Sequence, residues 1–200
     1  MRILTAILLL SLLPFSAMAG DFNYDYLNIG YTRSSESGLD TYGPNVAVSA
    51  RVCDYFAFQG SFSYLSTGGY NIGTLFVGGS AHMQVMQNLD ILLTVGLIHP
   101  NANVSTPTGT TSVGKSSGLV GLGLRAAPFD NIELDAGYIH YRTDIWQPGS
   151  YYSVNTYYGT ALYNLSEMID ENMDVFLSAS HTSEFGFSAN ALTLGMRFNF

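Results

Sequence analysis

The protein has 200 residues, enough for one domain with a core, but only 11% of them are charged, against about a quarter in ordinary soluble domains. The formal net charge of −8 argues against nucleic acid as a partner, because phosphate binding needs clustered Lys and Arg and Lys115 is the only lysine. Cys53 is the only cysteine, so an intrachain disulfide framework is excluded.

The N-terminus has the pattern of an export signal. Met1 and Arg2 form a short positive region, residues 3–15 are mainly apolar, and Ala17-Met18-Ala19 matches a small-x-small cleavage site. We therefore predict a cleaved signal peptide at residues 1–19 and a single mature domain at residues 20–200. The alternative is an uncleaved membrane anchor, which the short run and Pro14 disfavour.

Apolar residues alternate with small or polar ones along the rest of the chain, and this period of two indicates β-strands. In one segment, Val120, Leu122 and Leu124 are separated by single glycines. We count ten such segments, each about as long as a tilted membrane strand requires. They lie near residues 22–33, 44–53, 55–65, 71–86, 89–98, 116–126, 131–142, 153–165, 172–182 and 187–200.

The connections between these segments alternate between short and long. An outer-membrane barrel with both termini in the periplasm has an even strand number, tight periplasmic turns and larger loops outside. The pattern therefore predicts an all-β fold, a closed antiparallel transmembrane β-barrel of about ten strands, or eight if the weaker segments 44–53 and 153–165 were loops. Residues 100–115, rich in Ser, Thr and Gly, are expected to form a mobile surface loop.

A soluble β-sandwich also alternates apolar and polar residues, so the period alone does not decide the fold. A sandwich places its polar face in water and covers it with Lys and Glu. Here the polar face consists of Gly, Ser, Thr, Ala and a few charges, which suit the crowded inside of a narrow barrel.

The last strand carries apolar residues at every second position and ends the chain on an aromatic residue. These residues, Leu194, Met196, Phe198 and Phe200, resemble the terminal signal by which outer-membrane barrels are handed to their insertion machinery. The partners expected are therefore that machinery and the lipid bilayer of the outer membrane.

Several stretches resemble the small outer-membrane β-barrel superfamily that includes opacity-type proteins. They are residues 26–31, residues 56–64, residues 131–138 and the aromatic C-terminus. More narrowly, the chain is similar to the porin-like barrels once described as sulfation-dependent quorum factors, although Asn28 replaces an acid of that family. The resemblance implies a porin-like or surface-exposed role in the cell outer membrane of a Gram-negative bacterium, with no catalytic residues and no cofactor.

If the apolar positions face lipid, a set of charged side chains points into the barrel lumen. An unpaired charge there would cost several kcal/mol, so pairing is expected, with Arg125 near Glu133 and Arg197 near Asp174. A charge-paired plug is the main interpretation, and a cation-preferring constriction is the alternative. The predicted network comprises Arg51, Arg125, Arg197, Asp90, Glu133, Asp135, Asp174 and His82.

Enzymatic chemistry has one candidate. His181, Ser183 and Glu184 are the residue types that acyl transfer needs, and a lipid-A-modifying hydrolase at the outer rim is one alternative function. Adhesion through the long loops is another. The histidines lack metal-ligand spacing, so no metal site is expected.

Overall fold

The structure, a computed structural model, describes residues 22–36, 38–106, 109–143, 152–165, 172–184 and 186–200. Among these residues there is no helix long and apolar enough to cross a membrane. The strands are β1 (Tyr26–Glu36), β2 (Leu39–Cys53), β3 (Phe56–Thr67), β4 (Tyr70–Met86), β5 (Leu89–Thr106), β6 (Gly109–Gly114), β7 (Ser117–Phe129), β8 (Ile132–Thr143), β9 (Tyr152–Asn164), β10 (Met173–Glu184) and β11 (Phe187–Asn199).

The strands form a closed antiparallel barrel. Strands β1 to β5 pair in chain order, as do β7 to β11, while β6 and β7 both pair with β5 and β1 pairs with β11 to complete the circle. Strands β6 and β7 pair with β5 in the same register, since Asn101 lies opposite Gly114 and Ile98 lies opposite Ser117. Together β6 and β7 occupy the position of one interrupted strand, so the barrel wall is ten strands around. The predicted closed antiparallel barrel of about ten strands is confirmed. The eight-strand alternative is wrong, because β2 and β9 are both present.

We call the end of the barrel that holds Tyr26 and Asn199 the base, and the opposite end the tip. The strands run further toward the tip than the sequence predicted. The connections from β1 to β2 and from β10 to β11 at this end are short, with glycines in the left-handed region at Gly38 (φ 84°) and Gly186 (φ 83°). The predicted loop at residues 100–115 is wrong, because Ser and Thr suit strands as well as loops and this segment continues β5 and forms β6.

The outer surface of the barrel is a continuous apolar belt. Leu122 is 58% exposed and Leu194 is 61% exposed, and both point away from the lumen. Aromatic side chains are exposed toward both ends of this belt. They include Phe56, Phe129, Tyr163 and Phe200 near the base and Tyr42 and Tyr64 nearer the tip, while Tyr31, Phe62 and Tyr157 lie near the middle of their strands.

The lumen contains small and polar side chains that pair across neighbouring strands. Thr32 and Thr193 hydroxyl oxygens lie 2.8 Å apart, and Asn45 donates to Thr32 over 2.6 Å. Thr160 donates to Ser178 over 2.8 Å. These hydrogen bonds satisfy polar groups that the barrel wall removes from water.

Candidate functional site

The charged side chains of the lumen converge on Glu133. Its carboxylate accepts two hydrogen bonds from Arg125, at 2.7 and 2.8 Å, and a third from Arg197 at 3.1 Å. Both arginine side chains are only 4% exposed. Asp135 lies beside them, 3.9 Å from the Arg125 Nε atom. We call these four residues the charged partition.

The two arginines use their remaining donors and their flat faces on other groups. Arg197 Nε donates to the Asn28 side chain at 3.0 Å, and its guanidinium lies 4.1 Å from the centre of the Tyr26 ring. Arg125 donates to the Asn23 carbonyl oxygen at 3.0 Å. Buried arginine stays charged, so these contacts and Glu133 together offset the cost of removing two cations from water.

Residues 22–25 lie inside the base of the barrel rather than in its wall. Phe22 and Tyr24 are 6% and 2% exposed and pack against Ala57. The alternation of Phe22 and Tyr24 with polar residues predicted a strand from residue 22, but β1 begins at Tyr26. The segment therefore forms a short plug that the sequence pattern could not distinguish from a strand.

Tyr24 connects the plug to two of the predicted lumen residues. Its hydroxyl donates to Asp90 at 2.7 Å, and its ring stacks on His82 with 3.8 Å between centroids. The Arg125 guanidinium lies 4.6 Å from the centre of the same ring, a cation–π contact. The plug and the charged partition are thus one packed unit.

The remaining predicted charges lie at the edge of this unit. Asp174 is the register partner of Arg197, but its carboxylate accepts from Asn164 and Asn199, at 2.8 and 2.9 Å, while the longer Arg197 side chain reaches Glu133. Arg51 lies at the rim of the base, 34% exposed and 3.7 Å from Asp25.

The partition separates two cavities. A pocket of about 650 Å³ opens at the base and is lined by Arg125 and Glu133. A cavity of about 500 Å³ lies inside the lumen and is lined by Arg197 and Asp135. Each face of the charged cluster therefore borders a different space.

The candidate acyl-transfer residues do not form a site. Along β10, side chains alternate between the two faces, so His181 and Ser183 point outward while Glu184 points inward. His181 Nδ1 contacts the Asn190 side chain at 2.8 Å. In the described part of the chain, no group of three or more His, Cys, Asp and Glu side chains is placed to hold a metal.

The proposed insertion signal occupies the outward face of β11. Leu194, Met196 and Phe200 are 61%, 39% and 70% exposed, and Phe198 is half-buried on the same face. These side chains extend the apolar belt to the C-terminus.

Comparison with solved structures places this architecture among known barrels. The β domain of the Bordetella autotransporter BrkA matches with a TM-score of 0.50 and 12% sequence identity. The match covers 90% of this chain and 100% of the BrkA domain. The likeness shows a shared fold, the closed antiparallel β-barrel. The attachment invasion locus protein Ail of Yersinia pestis also matches, with a TM-score of 0.46 and 16% sequence identity, over 90% of this chain and 100% of Ail. Neisserial surface protein A matches with a TM-score of 0.46 and 13% sequence identity, over 88% of this chain and 95% of that protein.

At these identities the likeness concerns the fold alone. No protein-family model matches the chain, and no curated protein matches it either. The narrower similarity to sulfation-dependent quorum factors therefore stays a prediction.

Proposed function

We propose that this protein is a non-enzymatic barrel of the Gram-negative outer membrane, whose lumen is closed at the base by the charged partition and the plug. The observation that carries this proposal is the orientation of the side chains. Large apolar groups such as Leu97 (63% exposed) cover the outside, while Arg125 and Arg197 are buried inside. In water this arrangement would expose a very large apolar surface, whereas in a bilayer it buries that surface in hydrocarbon.

The aromatic side chains support a transmembrane position. Tyrosine and phenylalanine residues flank the aliphatic part of the belt toward both ends, as in the two interfacial girdles of membrane barrels. Most strands have 11 to 18 residues, enough to cross a bilayer when tilted. We place both termini, which lie together at the base, in the periplasm, as expected for a bacterial barrel with an even number of antiparallel strands.

A closed lumen favours a structural or surface role over that of an open porin. Ion pairs, cation–π contacts and the Phe22 and Tyr24 side chains occupy the lumen next to the pocket at the base. A porin-like pore is the second candidate, and the acidic residues of the lumen favour cations in that case. Adhesion at the tip stays an untested alternative, and the split of His181 and Glu184 between faces argues against a hydrolase.

Two measurements on purified protein test the proposal. A folded membrane barrel requires detergent and migrates differently on a gel before and after boiling, whereas a monomer that is freely soluble in water would contradict the orientation. In planar bilayers, the closed lumen predicts no stable conductance for the wild-type protein. A steady open channel would contradict the closure and favour the porin alternative.

A further inference from the structure

The lumen cavity has two chemically different walls. Five apolar side chains line it from the neighbouring strands β4, β5, β7 and β8, together with Thr74, Thr94, Tyr141 and, at the bottom, Asp135. The aromatic ring of Phe76 lies flat against β4 and β5, because Gly78 and Gly96 leave room for it; a Cβ atom at Gly96 would lie 2.6 Å from the ring. The five are Phe76, Leu92, Ile98, Leu119 and Ile139.

The opposite wall is mainly polar. Asn, Gln, Ser and Thr side chains line the cavity from β9, β10, β11, β1, β2 and β3, together with Arg197 and with the less polar Tyr26, Ala47, Val48, Tyr158 and Phe176. A water-filled pore is polar all around, and a filled barrel core has no room for a cavity. A cavity with one apolar and one polar wall is instead typical of a small-molecule site.

Some polar side chains that line the cavity make no hydrogen bond to the part of the chain that the structure describes. Gln59 and Ser61 line the cavity, and within the described residues their side chains make no hydrogen bond. Asp135 Oδ1, at the bottom of the cavity, is buried and also lacks a hydrogen-bond partner there. Their neighbours Thr160 and Ser178, in contrast, bond to each other. Hydrogen-bond donors and acceptors thus remain available at Gln59 and Ser61 on the polar wall and at Asp135 at the bottom of the cavity.

We propose that this cavity binds a neutral small molecule that carries one apolar ring and several hydroxyl groups. The ring packs against Phe76, Leu119 and Ile139, and the hydroxyl groups bond to Gln59, Ser61 and Asp135. The ligand is neutral because the two charged residues that line the cavity, Asp135 and Arg197, have opposite signs. The volume of about 500 Å³ lies within the range of small-molecule sites, about 300–1,000 Å³.

This binding site goes beyond the closed-barrel function and does not depend on it, because the cavity lies on the tip side of the charged partition. With the proposed closure at the base, the ligand exchanges with solvent through the tip, but binding itself does not require that closure. A protein without conductance can therefore still bind the ligand, and a conducting protein can still fail to bind it.

Phenyl β-D-glucopyranoside is a suitable probe, with methyl β-D-glucopyranoside as its partner that lacks the ring. Both are titrated by calorimetry into the full chain in a polyoxyethylene detergent, whose headgroup contains no sugar, and empty micelles give the blank. We expect the phenyl glycoside to bind at least about tenfold more tightly, since an apolar pocket discriminates by at least that factor against loss of a ring. Equal affinities, or no binding of either glycoside, would overturn the proposal.

Two variants locate the binding within the lumen. Ala47→Phe fills the cavity from the polar wall, and Val46→Phe adds the same ring on the outward face, where Val46 is 40% exposed. We expect at least about a tenfold loss of affinity for Ala47→Phe and no change beyond about twofold for Val46→Phe. Equal effects would place the binding outside the lumen.

Gln59→Leu keeps the size of the side chain and removes its polar groups. We expect this substitution to weaken the binding of the phenyl glycoside by about fivefold or more, because the sugar hydroxyls lose a hydrogen-bond partner. This variant and the two glycosides decide the question even if Ala47→Phe does not fold. Unchanged binding by Gln59→Leu would overturn the assignment of the polar wall.

Discussion

Replacing Glu133 with glutamine tests the charged partition most severely. The substitution keeps the size of the side chain but removes the carboxylate that Arg125 binds at 2.7 and 2.8 Å and Arg197 binds at 3.1 Å. Removing one partner of a buried ion pair costs about 3–5 kcal/mol, because the remaining charge stays buried and unpaired. Asp135, 3.9 Å from Arg125 Nε, compensates in part. We therefore expect Glu133→Gln to lower the free energy of unfolding by about 3 kcal/mol.

The assay is urea unfolding of the purified protein in detergent, followed by tyrosine fluorescence and by the heat-dependent shift on a gel. Asp130→Asn is the matched control, because it removes the same charge from the exposed turn between β7 and β8, three residues away in the chain. The control should change the stability by less than about 0.5 kcal/mol. If Glu133→Gln were as stable as this control, the partition would contribute nothing to the closed lumen and the reasoning would be refuted.

Three further predictions use the same protein. Tyr24→Phe keeps the stacked ring but leaves Asp90 without its hydroxyl donor. The free energy of unfolding in the urea assay should fall by about 1–3 kcal/mol, and an unchanged value would show that this hydrogen bond does not anchor the plug. Leu122→Arg places a charge on the apolar belt and should destabilise the barrel in lipid vesicles by about 2–4 kcal/mol, whereas a neutral effect would argue against lipid contact. At the tip, the hydrogen bond from Arg33 lowers the pKa of the Asp40 carboxyl, so Arg33→Gln should raise that pKa toward its ordinary value in a carboxyl NMR titration; an unchanged pKa would show that the pair does not form.

The strand pattern was predictable because the side-chain period of two is local. The residues from Val120 to Leu124 show which face of β7 is apolar, and the glycines between them could only belong to a crowded inner face. The same period also gave a wrong strand boundary. Phe22 and Tyr24 continue the alternation, but they belong to a segment that lies outside the barrel wall. Whether such a segment pairs or folds inward depends on Arg125, which lies 102 residues away from Asn23 in the chain.

The partners of the lumen charges were only partly predictable, for a geometric reason. Neighbouring strands can be aligned from their turn, so that Arg125 is expected near Glu133 across the short β7–β8 connection. The contact between Arg197 and Glu133 instead crosses the lumen from β11 to β8, over a separation of 64 residues, and no local pattern encodes it. The N-terminal plug and the two walls of the lumen cavity depend on the closed circle of strands in the same way.

The orientation of the apolar face is the claim on which membrane insertion, the closed lumen and the buried charges all depend. Spin labels placed one at a time at residues 119–124 of β7, in a Cys53→Ser background, test it directly in lipid vesicles. We expect collisions with dissolved oxygen to be high at residues 120, 122 and 124 and low at residues 119, 121 and 123. A reversed alternation, or labels at residues 120, 122 and 124 that collide with a water-soluble reagent instead, would contradict the account.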